Sequence, residues 1–228
     1  MATTYSPVGA CIYCAALRYA EDSKRELAVE HIIPFGLNGD LELPRSSCRS
    51  CERITGRTES TLLRGLLLAC RALLGLRTRS PKARPRQLPV YDQNRPVLID
   101  VADYPTTLQL VRFPEPGALS KLNLPNGEPE LWTRIFRVDM ARIQRKYGVQ
   151  KFSLPTIAPD IYRRTYAKIA HSFATAELGL GNFKPFLNGY ILGKSDDIDG
   201  RMYVGGSQDV SLAAETCFHF RYGFQEGT

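Results

Sequence analysis

At 228 residues the chain is long enough for one substantial domain, or for a small module joined to a larger one, and too short for a multi-domain assembly. Hydrophobic residues at 43%, with 18 Gly and 15 Pro, fit a globular core and exclude a disordered, collagen-like or coiled-coil chain. The formal charge is +7, which points to a polyanionic partner. It is unevenly spread: residues 1–52 hold five basic and seven acidic side chains, residues 53–87 nine and one, and the rest 16 and 15.

The stretch Met1–Pro7 shows neither a charged region followed by an apolar run nor a cleavage site, so a cytoplasmic protein is expected. In chain order, Cys11-Ile-Tyr-Cys14 forms a first CxxC knuckle, Leu27–Ile33 reads as a strand, and Gly36–Gly39 as the turn of a hairpin or Ω-like loop. A second knuckle, Cys48-Arg-Ser-Cys51, leads into a helix over Glu52–Leu76, with Gly56 and Gly65 as possible breaks. Its apolar stretch Leu62–Leu76 carries Arg64 and Arg71 and falls short of the roughly 20 residues a membrane span needs, so no membrane contact is expected. Pro81 and Pro85 bar a regular helix through Arg77–Arg86, which reads as an extended basic linker.

Beyond it, Val97–Val101 and Leu108–Phe113 are expected to pair as strands across a turn at Tyr104-Pro105. Leu131–Tyr147 settles into helical spacing, and Pro159–Leu178 is a helix presenting Ile161, Tyr162, Tyr166, Ile169, Ala170 and Phe173 on one face. Phe186–Leu192, Met202–Val204 and Cys217–Tyr222 read as strands. The fold class is α+β, divided as a module over residues 1–76, a linker over 77–88 and an α+β domain over 89–228 to which no motif assigns a role, dimerisation and specificity being the candidates.

The chemistry is concentrated in the first quarter. Two CxxC knuckles separated by 33 residues offer four thiolates, from Cys11, Cys14, Cys48 and Cys51, to one tetrahedral ion. A structural zinc explains the pairing better than redox thiols do. Cys70 and Cys217 sit in apolar surroundings and read as core, and His171 and His219 as structural. Between the knuckles stands Glu30-His31. If the segment is extended, the two side chains point to opposite faces, which allows Glu30 to hold a hard metal ion while His31 faces substrate and takes a proton from water.

The order Cys11-x-x-Cys14, Glu30-His31-Ile-Ile-Pro34, Gly39, Cys48-x-x-Cys51, Glu52 resembles the HNH endonuclease superfamily. The resemblance covers residues 11–60 and implies a zinc-stabilised ββα-metal module: a hairpin and a helix around one catalytic divalent ion, Mg²⁺ or Mn²⁺. It implies Glu30 as metal ligand, His31 as general base, and Glu52 in the third position, where the family commonly has Asn or His. The family's middle asparagine is absent from Leu43–Ser47, so Asn38 or a serine hydroxyl is left to orient the histidine loop. Glu59, two helical turns beyond Glu52, is a further ligand candidate.

The expected activity is metal-dependent hydrolysis of phosphodiester bonds, with DNA preferred on the resemblance alone. Arg53, Arg57, Arg77, Arg79, Lys82, Arg84 and Arg86 are the expected phosphate contacts, and a homodimer is allowed for. Two alternatives stay open: a non-catalytic, zinc-stabilised nucleic-acid-binding or regulatory protein, and an RNA-directed nuclease acting as toxin or defence effector.

Overall fold

The computed structural model describes residues 3–21, 23–65, 67–120, 123, 127–154, 158–194 and 199–206. Its first sheet has three strands in the order β1-β3-β2. β1 (Thr3–Thr4) runs parallel to β3 (Leu41–Ser47), which pairs antiparallel with β2 (Ala28–His31) and sets Glu30 opposite Leu43 and His31 opposite Glu42. Alternation along β2 buries Ala28 and Glu30 and leaves Val29 outside. The expected hairpin is therefore present, closed by a 3-10 turn at Phe35–Leu37 that ends on Asn38 with φ 63°. Gly39 follows because a Cβ there would stand 2.1 Å from the Ile33 carbonyl oxygen.

β3 leads into α1 (Arg49–Arg64), which turns Cys51, Thr55, Thr58 and Leu62 inward at helical spacing. The single helix expected over Glu52–Leu76 is two: α1 stops at Gly65, and α2 (Leu67–Leu73) carries the half-buried Cys70. Gly56 does not interrupt α1. Past α2 the basic segment makes one 3-10 turn, Pro81–Ala83. A proline is tolerated at the first position of such a turn, where its missing N–H would have no partner.

Strand pairing beyond this point differs from expectation. β4 (Gln87–Asp92) and β5 (Arg95–Asp100) form a hairpin through Gln93 and Asn94, both with positive φ, 47° and 66°. That is the pair of left-handed residues a tight hairpin turn demands. β5 therefore pairs with β4, whose first residues had been counted as linker, and β6 (Thr106–Arg112) pairs with β7 (Glu130–Arg137). The helix expected over Leu131–Tyr147 is confined to α3 (Met140–Tyr147), where the Asp139 side chain accepts from the Arg142 amide and Gly148 ends the helix at φ 73°.

α4 has the expected bounds, Pro159–Leu178, but of its expected inner face only Tyr162 is buried. Thr165, Lys168, His171, Ser172 and Thr175 are buried, whereas Ala170 is exposed and Ile161, Tyr166, Ile169 and Phe173 only partly covered. Small polar side chains are acceptable there because Thr165 and Thr175 return their hydroxyls to the carbonyls of Ile161 and His171. In place of the strands expected at Phe186–Leu192 and Met202–Val204 stand the short helices α5 (Asn188–Ile191) and α6 (Gly200–Tyr203), the latter capped by Asp199. Cys217–Tyr222, with Cys217 and His219, lies outside the described residues.

The core around the cysteines joins the two ends of the chain: Cys11, Ile12, Tyr13, Ile32 and Leu43 pack with Ala167, Tyr190, Ile191 and Leu192. A second core unites Leu88, Val90 and Ile99 of the β4–β5 hairpin with Ile143 and Val149. Among the described residues no helix is long and apolar enough to cross a membrane. Because the Gly39 contact is with backbone, Gly39→Ala must shift the loop that follows His31. It should cost on the order of 2 kcal/mol, measured by chemical denaturation, with the same Ala at the unobstructed Gly56 far milder.

Candidate metal centre and buried carboxylate pair

The four cysteines of the two knuckles meet. Their sulfurs all lie within 4.8 Å of one another, with Cys14 and Cys48 Sγ 3.6 Å apart. Zinc–sulfur bonds of about 2.3 Å in a tetrahedron place sulfurs roughly 3.8 Å apart, so the donor set fits zinc. Cys48 heads α1 and Cys51 lies one turn in, while Cys11 and Cys14 are set by a tight turn in which the Ala15 amide donates to the Cys11 carbonyl. A hydrogen bond from Cys51 holds the Cys11 thiol down at about 4, and the same contact pushes Cys51 up.

The first knuckle is clamped from the far end of the chain. His171 Nε2 lies 2.9 Å from the Ile12 carbonyl oxygen, and Asn188 donates to the carbonyls of Ile12 and Tyr13. Burial keeps the His171 pKa below the usual imidazole value, so a neutral ring donates that bond. This accords with a structural role.

Glu30 points into the protein, where its carboxylate meets Lys168 of α4 at 2.6 Å, and Glu59 of α1 reaches the same ammonium at 2.8 Å. Lys168 also donates to the carbonyl of His31 and, at 3.4 Å, to that of Ile32. Lys168 and Glu30 are almost fully buried. Burial opposes the lysine's charge, but Glu30 and Glu59 outweigh it and hold the ammonium above an ordinary lysine. Burial pushes the Glu30 carboxyl up, against the pull of Lys168.

His31 lies on the other side of β2. Its Nδ1 is 3.7 Å from a Glu42 carboxylate oxygen and its ring packs near Phe35. Burial, opposed by Glu42 and aided by Arg79, lowers its pKa, so the imidazole is neutral at pH 7. Asn38 accepts a hydrogen bond from the Arg77 amide, Arg77 stacks over Phe35, and Arg71 donates to the Gly36 carbonyl. The basic segment is thereby tied to the loop that follows His31. Its Arg77, Arg79, Lys82, Arg84 and Arg86 are all exposed, although Arg84 also donates to the carbonyls of Gly75 and Leu76.

Glu52 is not brought to Glu30. It accepts a hydrogen bond from Tyr19 at 2.8 Å, near an open groove of about 870 Å³ lined by Arg18, Tyr19, Arg49, Ser50 and Arg53. Arg57 lies exposed on α1, one turn beyond Arg53. Among the described residues only the four cysteines form a cluster able to hold a metal. A divalent ion on Glu30, Glu52 and Glu59 does not fit this arrangement: one carboxylate faces Tyr19, and the other two already share an ammonium.

Sequence reasoning missed Lys168, His171 and Asn188 as partners of the first quarter. A readable signal existed in the stripe Thr165, Lys168, Ser172, Thr175 of α4, whose lysine among small hydroxyl residues marks a close helix approach with a charge to neutralise. No family model matches the chain, and no curated protein or solved structure matches it.

The purified chain should carry one zinc by elemental analysis, and Cys48→Ser should lose the metal together with the cooperative unfolding transition. Lys168→Met should destabilise by about 3–5 kcal/mol at pH 7, since it leaves the buried Glu30 and the half-buried Glu59 without their cation. The Glu30 carboxyl, raised by burial, contributes stability below its unfolded value and loses it as pH rises through its folded one, so the deficit should shrink in urea melts as pH falls from 7 toward the ordinary carboxylate range.

Proposed function

We propose that this chain acts on nucleic acid as a zinc-stabilised endonuclease of the HNH kind, hydrolysing phosphodiester bonds with His31 as general base. The observation that carries the reading is the environment of His31 on a β-hairpin–helix unit closed by four cysteines. Its imidazole is neutral, a carboxylate lies behind Nδ1, and Arg79 lies close enough to depress its pKa. A neutral imidazole can take a proton from water, Glu42 favours the imidazolium that results, and Arg77 and Arg79 place positive charge where a phosphodiester would rest. The order Cys11–Cys14, Glu30-His31, Cys48–Cys51 supports it. DNA is the substrate the resemblance favours. Because Glu30, Glu52 and Glu59 do not fit a divalent ion together, no step is assigned to one.

The Lys168 ion pair favours a second reading. With Glu30 and Glu59 neutralised by a buried ammonium, the module binds nucleic acid through the basic segment without cutting it.

Supercoiled plasmid separates the two. Incubated with Mg²⁺ or Mn²⁺, the wild type should nick it, EDTA should show whether a divalent ion is required, and His31→Ala should lose roughly 10²–10⁴-fold in rate. The rate should hold as pH falls through the ordinary imidazole range and drop only below it, because the His31 pKa is lowered. Retained zinc and plasmid binding without cleavage of DNA or RNA under any divalent ion would establish the binding reading instead.

A further inference from the structure

The β6–β7 ribbon is a feature that neither reading uses. β6 is rooted in the body through Val111 and Phe113, which pack with Leu62, Leu67 and Tyr162, while every residue of β7 is exposed. Two strands alone are marginal in water, and an uncovered edge with large apolar side chains invites association. On β7, Leu131 lies opposite Val111 and so on the body side, and Arg112 lies opposite Glu130 on the other side. That outer face presents Glu130, Trp132, Arg134 and Phe136 together with Arg112. Trp132 is 55% and Phe136 53% exposed. Arg112 stacks over Trp132 at 5.4 Å and Arg134 over Phe136 at 5.3 Å. The indole N–H donates to Glu130, which also pairs with Arg112 and is the single carboxylate of this face among the described residues of the ribbon.

We propose that this face binds an unpaired stretch of nucleic acid, its bases stacking on Trp132 and Phe136 and its phosphates held by Arg112, Arg134 and the adjacent Arg137. Alternating aromatic planes and guanidinium groups supply the two ingredients of single-strand binding, a stacking platform and a positive track. Charge decides the occupant. A second copy of the same face would set two arginine pairs against each other with two carboxylates to offset them, whereas a polyanion is complementary along the whole ribbon. The inference rests on the reading of this chain as a nucleic-acid protein and adds to it a preference for substrates with unpaired segments.

Trp132 is the single tryptophan of the chain, so its emission reports the ribbon directly. The full zinc-loaded chain is titrated without added Mg²⁺ or Mn²⁺ with dye-labelled oligo(dT), following tryptophan emission and dye anisotropy together, and with polyglutamate as an anionic control. Saturable quenching by oligo(dT) and none by polyglutamate is expected. Trp132→Ala and Phe136→Ala should each weaken binding roughly 5- to 150-fold, with Trp132→Phe restoring it. Oligonucleotide binding by anisotropy with unchanged emission and unchanged affinity in Trp132→Ala would overturn the inference and leave the nucleic-acid reading intact. Absence of binding to any nucleic acid would overturn both. Equal quenching by polyglutamate, or an emission blue shift that grows with protein concentration before oligonucleotide is added, would overturn it in favour of an acidic protein or a second copy.

Discussion

The ammonium of Lys168 holds three elements in place: the hairpin through Glu30 and the His31 carbonyl, α1 through Glu59, and α4, which carries the lysine itself. Its donors are all used, which is the condition under which a charge can be buried without a large penalty. Such a group adds little net stability over a well-packed apolar one, but it specifies which helix face meets which strand. Threonines on both α1 and α4 line the approach, and their hydroxyls bond within their own helices, so the pairing needs no further partners. The zinc knuckle depends on the same helix. His171 lies one turn-neighbour position beyond Lys168 and is within 2.9 Å of the Ile12 carbonyl in the loop between Cys11 and Cys14.

The first quarter of the chain is therefore not self-sufficient. Its core includes Ala167, Tyr190, Ile191 and Leu192, residues from beyond the basic segment, as well as the cysteines. A zinc held by the four thiolates would compensate for a core too small to be rigid, and the helix that reaches the hairpin through Lys168 serves the same end. The Lys168 contact also gives β2 two chemically distinct faces. Glu30 is sealed on the inner one, and His31 is left with Glu42 and the basic segment on the other.

How much of this is readable in the residues follows from how local each constraint is. The knuckles, the hairpin after Leu27 and the bounds of α4 depend on short-range signals: thiol spacing, a turn at Gly36–Gly39, Pro159 at one end and Gly179 at the other. The alternation of Glu30 and His31 follows from strand geometry alone. Long-range pairing is another matter. β4 is hard to read because its first residues continue a proline-containing basic run, which leaves β6 as the apparent partner of β5. Phe186–Leu192 is apolar enough for a strand, yet its middle residues form α5, and Asn188 there clamps the first knuckle. The meeting of Glu59 with Glu30 is consistent with helix periodicity, but the lysine that binds both lies more than a hundred residues away, and its stripe on α4 marks a close approach without naming the partners.

The placement of the basic segment bears most directly on function. Nine basic side chains in 35 residues could have formed a solvated tether. Instead Arg77 is fixed by Asn38 and Phe35, and Arg71 reaches back to Gly36, so the positive charge is anchored at the loop that follows the histidine. A tether would raise affinity for any polyanion without orienting it. On the proposed function, an anchored segment would orient the phosphate backbone relative to His31, and orientation of this kind is what converts non-specific attraction into a defined register. Asn38, expected to orient the histidine loop, accepts from the Arg77 amide and so joins that loop to the basic segment.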